Sequence, residues 1–183
     1  VDRSYTTWYD DEKHQISFNT KLDANGKLRL EFTSTLDEYI SKESWGIDNL
    51  EIKLKDSPFT TLSFENFEGE YEWSNNSIVT VPDNGDKTQV PATTFLGYFP
   101  TSKSNGDPFF ITKTYSFPGY GNYDVDIEFD FYEIDTWDGE RFEFYANNQL
   151  LAQDWFVQSA LAGFPDSNIT GVDLQDNIGN TSR

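Results

Sequence analysis

The chain has 183 residues, enough for one domain with a sizeable core, and 17% of them are aromatic and set in short apolar runs, which argues for folding despite a low mean hydropathy. Its 32 acids against 13 basic residues leave a formal charge of -19, which excludes nucleic acid and anionic membranes as partners and suits the binding of cations. The absence of cysteine and the single histidine exclude disulfides, thiolate zinc and histidine-rich metal chemistry, leaving calcium or magnesium, and no apolar run reaches transmembrane length.

Along the chain, alternation with a period of two predicts strands at "HQISFNT" (14–20), "KLRLEFT" (27–33) and "NLEIKL" (49–54), then "TLSFENF" (61–67), "SIVTV" (77–81) and "TTFLGYF" (93–99). Next come "FFITKTYSF" (109–117), "YDVDIEFDF" (123–131), "RFEFYAN" (141–147) and "QLLAQ" (149–153). In the acidic strand 123–131, Tyr123, Val125, Ile127, Phe129 and Phe131 fall on one face and Asp124, Asp126, Glu128 and Asp130 on the other. The basic residues Lys27 and Arg29 are expected opposite those acids, where cross-strand charge pairs each add a few tenths of a kcal/mol, roughly. Turn chemistry separates the strands: "DANGK", "PDNGDK", "KSNGDP" and "FPGYGN" all place Asn or Gly where the chain must reverse. Only 154–164, "DWFVQSALAGF", suggests a short helix. Many short strands with such turns imply an all-β antiparallel sandwich. The pattern breaks at Asp56 to Pro58, which is either the candidate seam between segments 1–56 and 57–183 or an ordinary loop.

Two stretches share unusual ingredients. "ESWGIDN" (43–49) and "EIDTWDGE" (133–140) each combine acids, a tryptophan and a glycine. A hard cation such as calcium takes six to eight oxygens from carboxylates, amides and carbonyls. Asp135, Asp138 and Glu140 on one loop, with Glu43, Asp48 and Asn49 on the other, would each make part of such a cage. Neither stretch has EF-hand spacing. The competing reading is that the acids are ordinary turn residues and that each tryptophan caps the core.

"FDFYEIDTWDGERFEFYANN" resembles a segment of extracellular calcium-binding β-sandwich modules, jelly-roll or galactose-binding-like, in bacterial and protist surface proteins and adhesins. "LRLEFTSTLDEYISKESWGIDNLEIKL" is similar to the closing strands of those modules, and "FENFEGEYEW" to their opening. The order is reversed here, because the closing element precedes the opening one. The resemblance therefore implies a permuted domain in which 1–56 close the sandwich of their own chain, of an adjacent repeat or of an identical neighbouring subunit. The last two arrangements, by strand complementation, propagate head to tail into a filament, fibril or tandem surface array. It also implies a Ca2+ ion joining the two loops, with Trp45 and Trp137 packed around it and Gly46 and Gly139 permitting close backbone approach.

With no initiator Met and no signal-like segment, the chain is expected to be a piece of something larger, and the resemblance implies an extracellular or cell-surface location. Sequons at Asn75, Asn168 and Asn180 are candidate glycosylation sites. No nucleophile motif occurs, so no catalytic role is expected, and His14, beside acids in "DEKHQI", is expected to be solvated. Among aromatics able to stack on sugars (Trp8, Tyr9, Tyr98, Tyr120 and Tyr123), Trp8 and Tyr9 in "SYTTWYDDE" are the preferred pair. The expectation is a structural or adhesive module, with a calcium-dependent carbohydrate-binding module as its alternative.

Overall fold

In a computed structural model, the structure describes residues 12–36, 43–69, 71–74, 78–81, 93–97, 99, 109–135, 137–157 and 171–173. At 12, 43, 58, 78–81, 93, 135, 138–139, 152–157 and 171–173 it describes the backbone alone. Eleven strands are present among these residues and no helix: β1 (Glu12–Lys21), β2 (Lys27–Ser34), β3 (Glu43–Leu54), β4 (Ser57–Glu65), β5 (Ile78–Val81), β6 (Thr93–Gly97), β7 (Ile111–Ser116), β8 (Asp124–Asp135), β9 (Asp138–Ala146), β10 (Gln149–Val157) and β11 (Gly171–Asp173).

The strands form two antiparallel sheets. The larger runs β11-β1-β8-β3-β6-β5, with β4 also paired to β3, and the smaller runs β10-β9-β2-β7. Their apolar faces meet in one core, to which the large sheet gives Ile16, Ile47, Val125, Ile127, Phe129 and Phe131 and the small sheet Leu28, Leu30, Phe32, Phe142 and Phe144. The centre is aromatic: Phe32 stacks on Phe144 at 4.9 Å and meets Phe129 edge-on at 5.2 Å, while Phe131 and Phe142 lie 4.1 Å apart between centroids. Offset and edge-to-face pairs of this kind add about 0.5–1.5 kcal/mol each beyond the area they bury.

The all-β sandwich expected from the alternation is what the chain forms. β8 lies between β1 and β3, with His14 opposite Phe131 and Ile47 opposite Phe131 from the other side. Val125, Ile127, Phe129 and Phe131 are buried in phase, as the pattern requires. Towards its end β8 is buried on both faces, from Asp130 through Ile134.

Three expectations are corrected. Lys27 and Arg29 do not face the acidic strand: β2 belongs to the other sheet, and the acids of β8 pair instead with Lys13, Lys21 and Lys53 from β1 and β3. Tyr123 is not on the buried face of β8, because the strand starts one residue later and leaves this ring half exposed at a turn. "DWFV", at the start of the expected helix, continues β10, and the rest of that stretch lies outside the described residues. Separately, the break at Asp56 to Pro58 covers the end of the turn 55–56 and the first residues of β4, which is hydrogen-bonded to β3.

Candidate functional site

β8 leaves the large sheet at Asp135 and the chain re-enters the small sheet at Asp138, so the acidic run 133–140 bridges the two sheets at one end of the sandwich. Both expected loops are mostly strand. Residues 43–49 form the first half of β3, and only 136–137 separate β8 from β9. Trp137 is fully buried, edge-on to Phe131 at 5.9 Å, and its indole N–H donates to the carbonyl oxygen of Ser44 at 3.1 Å. Trp45, also fully buried, packs on Phe99 at 4.7 Å and on Phe142 at 5.3 Å. Both tryptophans are core residues, and one of them ties the front segment to the bridge.

The β3–β8 register sets Glu43 opposite Asp135, Trp45 opposite Glu133 and Asp48 opposite Asp130. Opposite residues on antiparallel strands lie about 4.5–5.5 Å apart at Cα, so the register brings the backbones of the two acidic stretches side by side at Glu43 and Asp135. Asp138 lies just across the bridge, and Glu140 follows it on β9, buried two positions before Phe142. This set of hard oxygen donors has the chemistry calcium requires.

Asp48 and Asn49 are five and six residues further along β3, roughly 17 Å or more from Glu43 at strand rise, and are not brought to that end. They belong to a different network. Asn49 sits in a bulge at φ 51°, its side-chain amide donating to Asp130 at 2.8 Å and to Asp48 at 3.3 Å, while its backbone N–H donates to Asp48 at 2.7 Å. Lys13 completes the network at 2.6 Å from Asp130. Among the described residues no group of three or more His, Asp or Glu side chains is arranged around one point suited to a metal.

His14 is not solvated. It lies on the core-facing side of β1 with Ile16, 3% exposed, stacked on Phe131 at 5.9 Å, with Nε2 3.1 Å from an oxygen of Glu133, itself 4% exposed. The pair is a hydrogen bond that becomes an ion pair when the imidazole carries two protons. Glu133 was legible: it continues the phase of Phe129 and Phe131 by one step.

A third polar centre had no sequence signal. Buried Glu65, at the end of β4, accepts hydrogen bonds from Trp73 Nε1 at 2.8 Å, Tyr115 Oη at 2.8 Å and Lys113 Nζ at 2.5 Å. The Lys113 ammonium lies 5.2–5.8 Å from the ring centroids of Tyr71, Trp73 and Tyr115. Burial, together with the adjacent Glu65 carboxylate, pushes the Tyr115 phenol far above its ordinary value. The cluster joins β4 of one sheet to β7 of the other.

Trp8, Tyr9, Tyr98, Asn75, Asn168 and Asn180 lie outside the described residues, as do the side chains of Glu43, Asp135 and Asp138. No protein-family model, curated protein or solved structure matches the chain.

Proposed function

We propose that this chain is a non-catalytic extracellular β-sandwich module with a structural or adhesive role, stabilised by Ca2+ at the bridged end and linked with identical copies or adjacent repeats. The observation that carries the reading is the register of Glu43 against Asp135, reinforced by the Trp137 bond to Ser44. An ion held by Glu43, Asp135, Asp138 and Glu140 would cross-link the first 56 residues to the remainder. A chain with a charge of -19 gains from such an ion twice, through ligation and through relief of self-repulsion. The non-catalytic part rests on the buried acids: Glu65, Asp130 and Glu133 each hold a structural partner.

Within one chain the front strands fill their own sandwich, and a neighbouring copy could receive the same three strands in the same registers, which is how the module would extend into a filament. Thermal unfolding with Ca2+ and with EGTA tests the metal. Ca2+ is expected to raise the Tm by several degrees, Asp135→Asn is expected to remove that response and Asp48→Asn to leave it; an unchanged Tm refutes the metal. Light scattering after size exclusion tests the linkage, for which larger species in Ca2+ that fall to monomer in EGTA are expected, and monomer throughout refutes it.

A further inference from the structure

The outer face of the small sheet differs in kind from that of the large one. Alternation turns Leu30 and Phe32 of β2 and Phe142 and Phe144 of β9 into the core, so Arg29, Glu31, Arg141, Glu143 and Tyr145 point away from it. Tyr145 is the centre of an apolar strip: it stands opposite Leu150 of β10 in the register, and the Phe110 ring meets it edge-on with centroids 6.4 Å apart. Leu150 is 41% exposed and Phe110 39%. The flanking charges are already paired within the chain, Arg29 with Glu31 and with the Asn148 side chain, and Arg141 with Glu143 at 3.4 Å. The Tyr145 hydroxyl donates to Glu143 at 2.7 Å, which fixes the ring at the middle of the strip.

Among the described residues of this face, the bases Lys27, Arg29 and Arg141 stand against the acids Glu31 and Glu143, close to balance in a chain of charge -19. On the outer face of the large sheet, Glu51 and the four acids of β8 stand against Lys13, Lys21 and Lys53, with no arginine among the described residues. The chain has four arginines, and two of them lie on the small sheet's face. Arginine, tyrosine and phenylalanine are enriched in protein interfaces, where lysine is depleted. Four strands about 4.8 Å apart and about 27 Å long project to roughly 500 Å², and side-chain relief brings the accessible area towards the ~800 Å² per partner of a standard interface.

We infer that two copies of this chain pair through these faces, in a two-fold contact that buries Phe110, Tyr145 and Leu150 of each. A face carrying both signs in near balance is complementary to itself, whereas pairing the large sheets would set acids on acids. Guanidinium groups are more weakly hydrated than ammonium groups and are the cheaper cations to take out of water. The ion pairs and the Tyr145 bond exist before association, so little side-chain freedom is left to lose. The -19 on each copy opposes the approach, screened beyond roughly 8 Å at physiological salt. Pairing is therefore weak between free molecules and gains strength where linked copies present several faces at once. A two-fold contact closes at two copies, so it is distinct from the head-to-tail linkage and uses neither the metal end nor the exchange of front strands.

Sedimentation equilibrium of the full chain from micromolar to millimolar concentration tests this, in EGTA so that any Ca2+-dependent linkage is absent. Monomer at the dilute end, passing to dimer and no further at the concentrated end, is expected. Leu150→Lys should weaken pairing by about tenfold or more at unchanged Tm, although it lowers the net negative charge and so relieves general repulsion. Phe110→Ser should act in the same direction, and Arg29→Lys, which keeps the charge, should weaken pairing severalfold. Phe64→Ser removes an exposed ring from β4 of the large sheet and should leave pairing unchanged, as should Asp135→Asn, which separates this contact from the metal reading. Monomer up to millimolar concentration, growth beyond two copies, pairing that survives both Leu150→Lys and Phe110→Ser, or pairing lost in Phe64→Ser overturns the inference.

Discussion

Glu65 shows what one buried carboxylate does here: it neutralises Lys113 and satisfies an indole N–H and a phenol at once. Glu65→Ala would remove this acceptor from a half-buried ammonium, an indole and a phenol, a loss of about 3 kcal/mol, the lower end of the scale for broken buried ion pairs. Glu65→Gln keeps an acceptor and should cost less; chemical denaturation of both variants checks the order. Tyr145 gives a pH signature. Its hydroxyl donates to Glu143 at 2.7 Å, and this bond, with some burial, pushes the phenol up to about 12. A raised acid pKa stabilises the fold fully below the unfolded value near 10. Between about pH 10 and 12 the unfolded phenol has lost its proton while the folded one keeps it, so stability falls as pH rises through that window. Denaturation midpoints at pH 9 to 12 should show this fall, and it should be shallower in Tyr145→Phe, with the share due to Tyr115 remaining.

At the level of elements, β3 repays attention because it reads poorly as a strand. Gly46, Asp48 and Asn49 are weak strand formers, yet each has a place. Gly46 sits opposite Gly97, and the Phe95 ring lies across both: a Cβ would come within 2.3 Å of that ring at Gly46 and 2.1 Å at Gly97. Phe95 then stacks on Tyr132 at 5.0 Å. Gly46→Ala should cost about 1–3 kcal/mol through overpacking, and Phe95→Ala about 3–5 kcal/mol through the cavity. In a double-mutant cycle the pair should cost less than the sum, since removing the ring removes the clash.

These details mark the limit of what alternation can tell. β2 and β8 were legible because one face of each is apolar throughout. The strand nature of 43–49 was not, because its small and polar residues are chosen for a ring lying over them and for a bulge at Asn49. Which sheet β2 joins is likewise absent from a period-two pattern, so the charge partners of β8 could not be read. At the candidate metal end, the pairing of the two acidic clusters was anticipated by their shared composition. The separation of Asp48 and Asn49 from Glu43 was not, because reading 43–49 as a tight loop brings all three together, whereas a strand spreads them along its length.

For the molecule as a whole, the first three strands are internal to the fold. β1 and β3 flank β8, and β2 lies between β9 and β7. A chain consisting of 57–183 alone would expose both edges of β8 and half of the core, and should not fold; adding a peptide of 1–56 in trans should restore sheet signal in circular dichroism and a cooperative unfolding transition. Folding should also be slow for the size of the chain, because its central pairings are distant in sequence.

The Trp137 and His14 contacts reach across 93 and 119 residues of chain. On a ribosome adding 5–20 residues per second, β1 would wait roughly 6 to 24 s for the strand it pairs with. Throughout that interval its hydrogen-bonding edges are open, and on a crowded polysome the first β8 to arrive need not come from the same chain. If copies link as proposed, whether a newly made one closes on itself or on its neighbour would be a race set by translation speed and local crowding, with both products sharing the same registers.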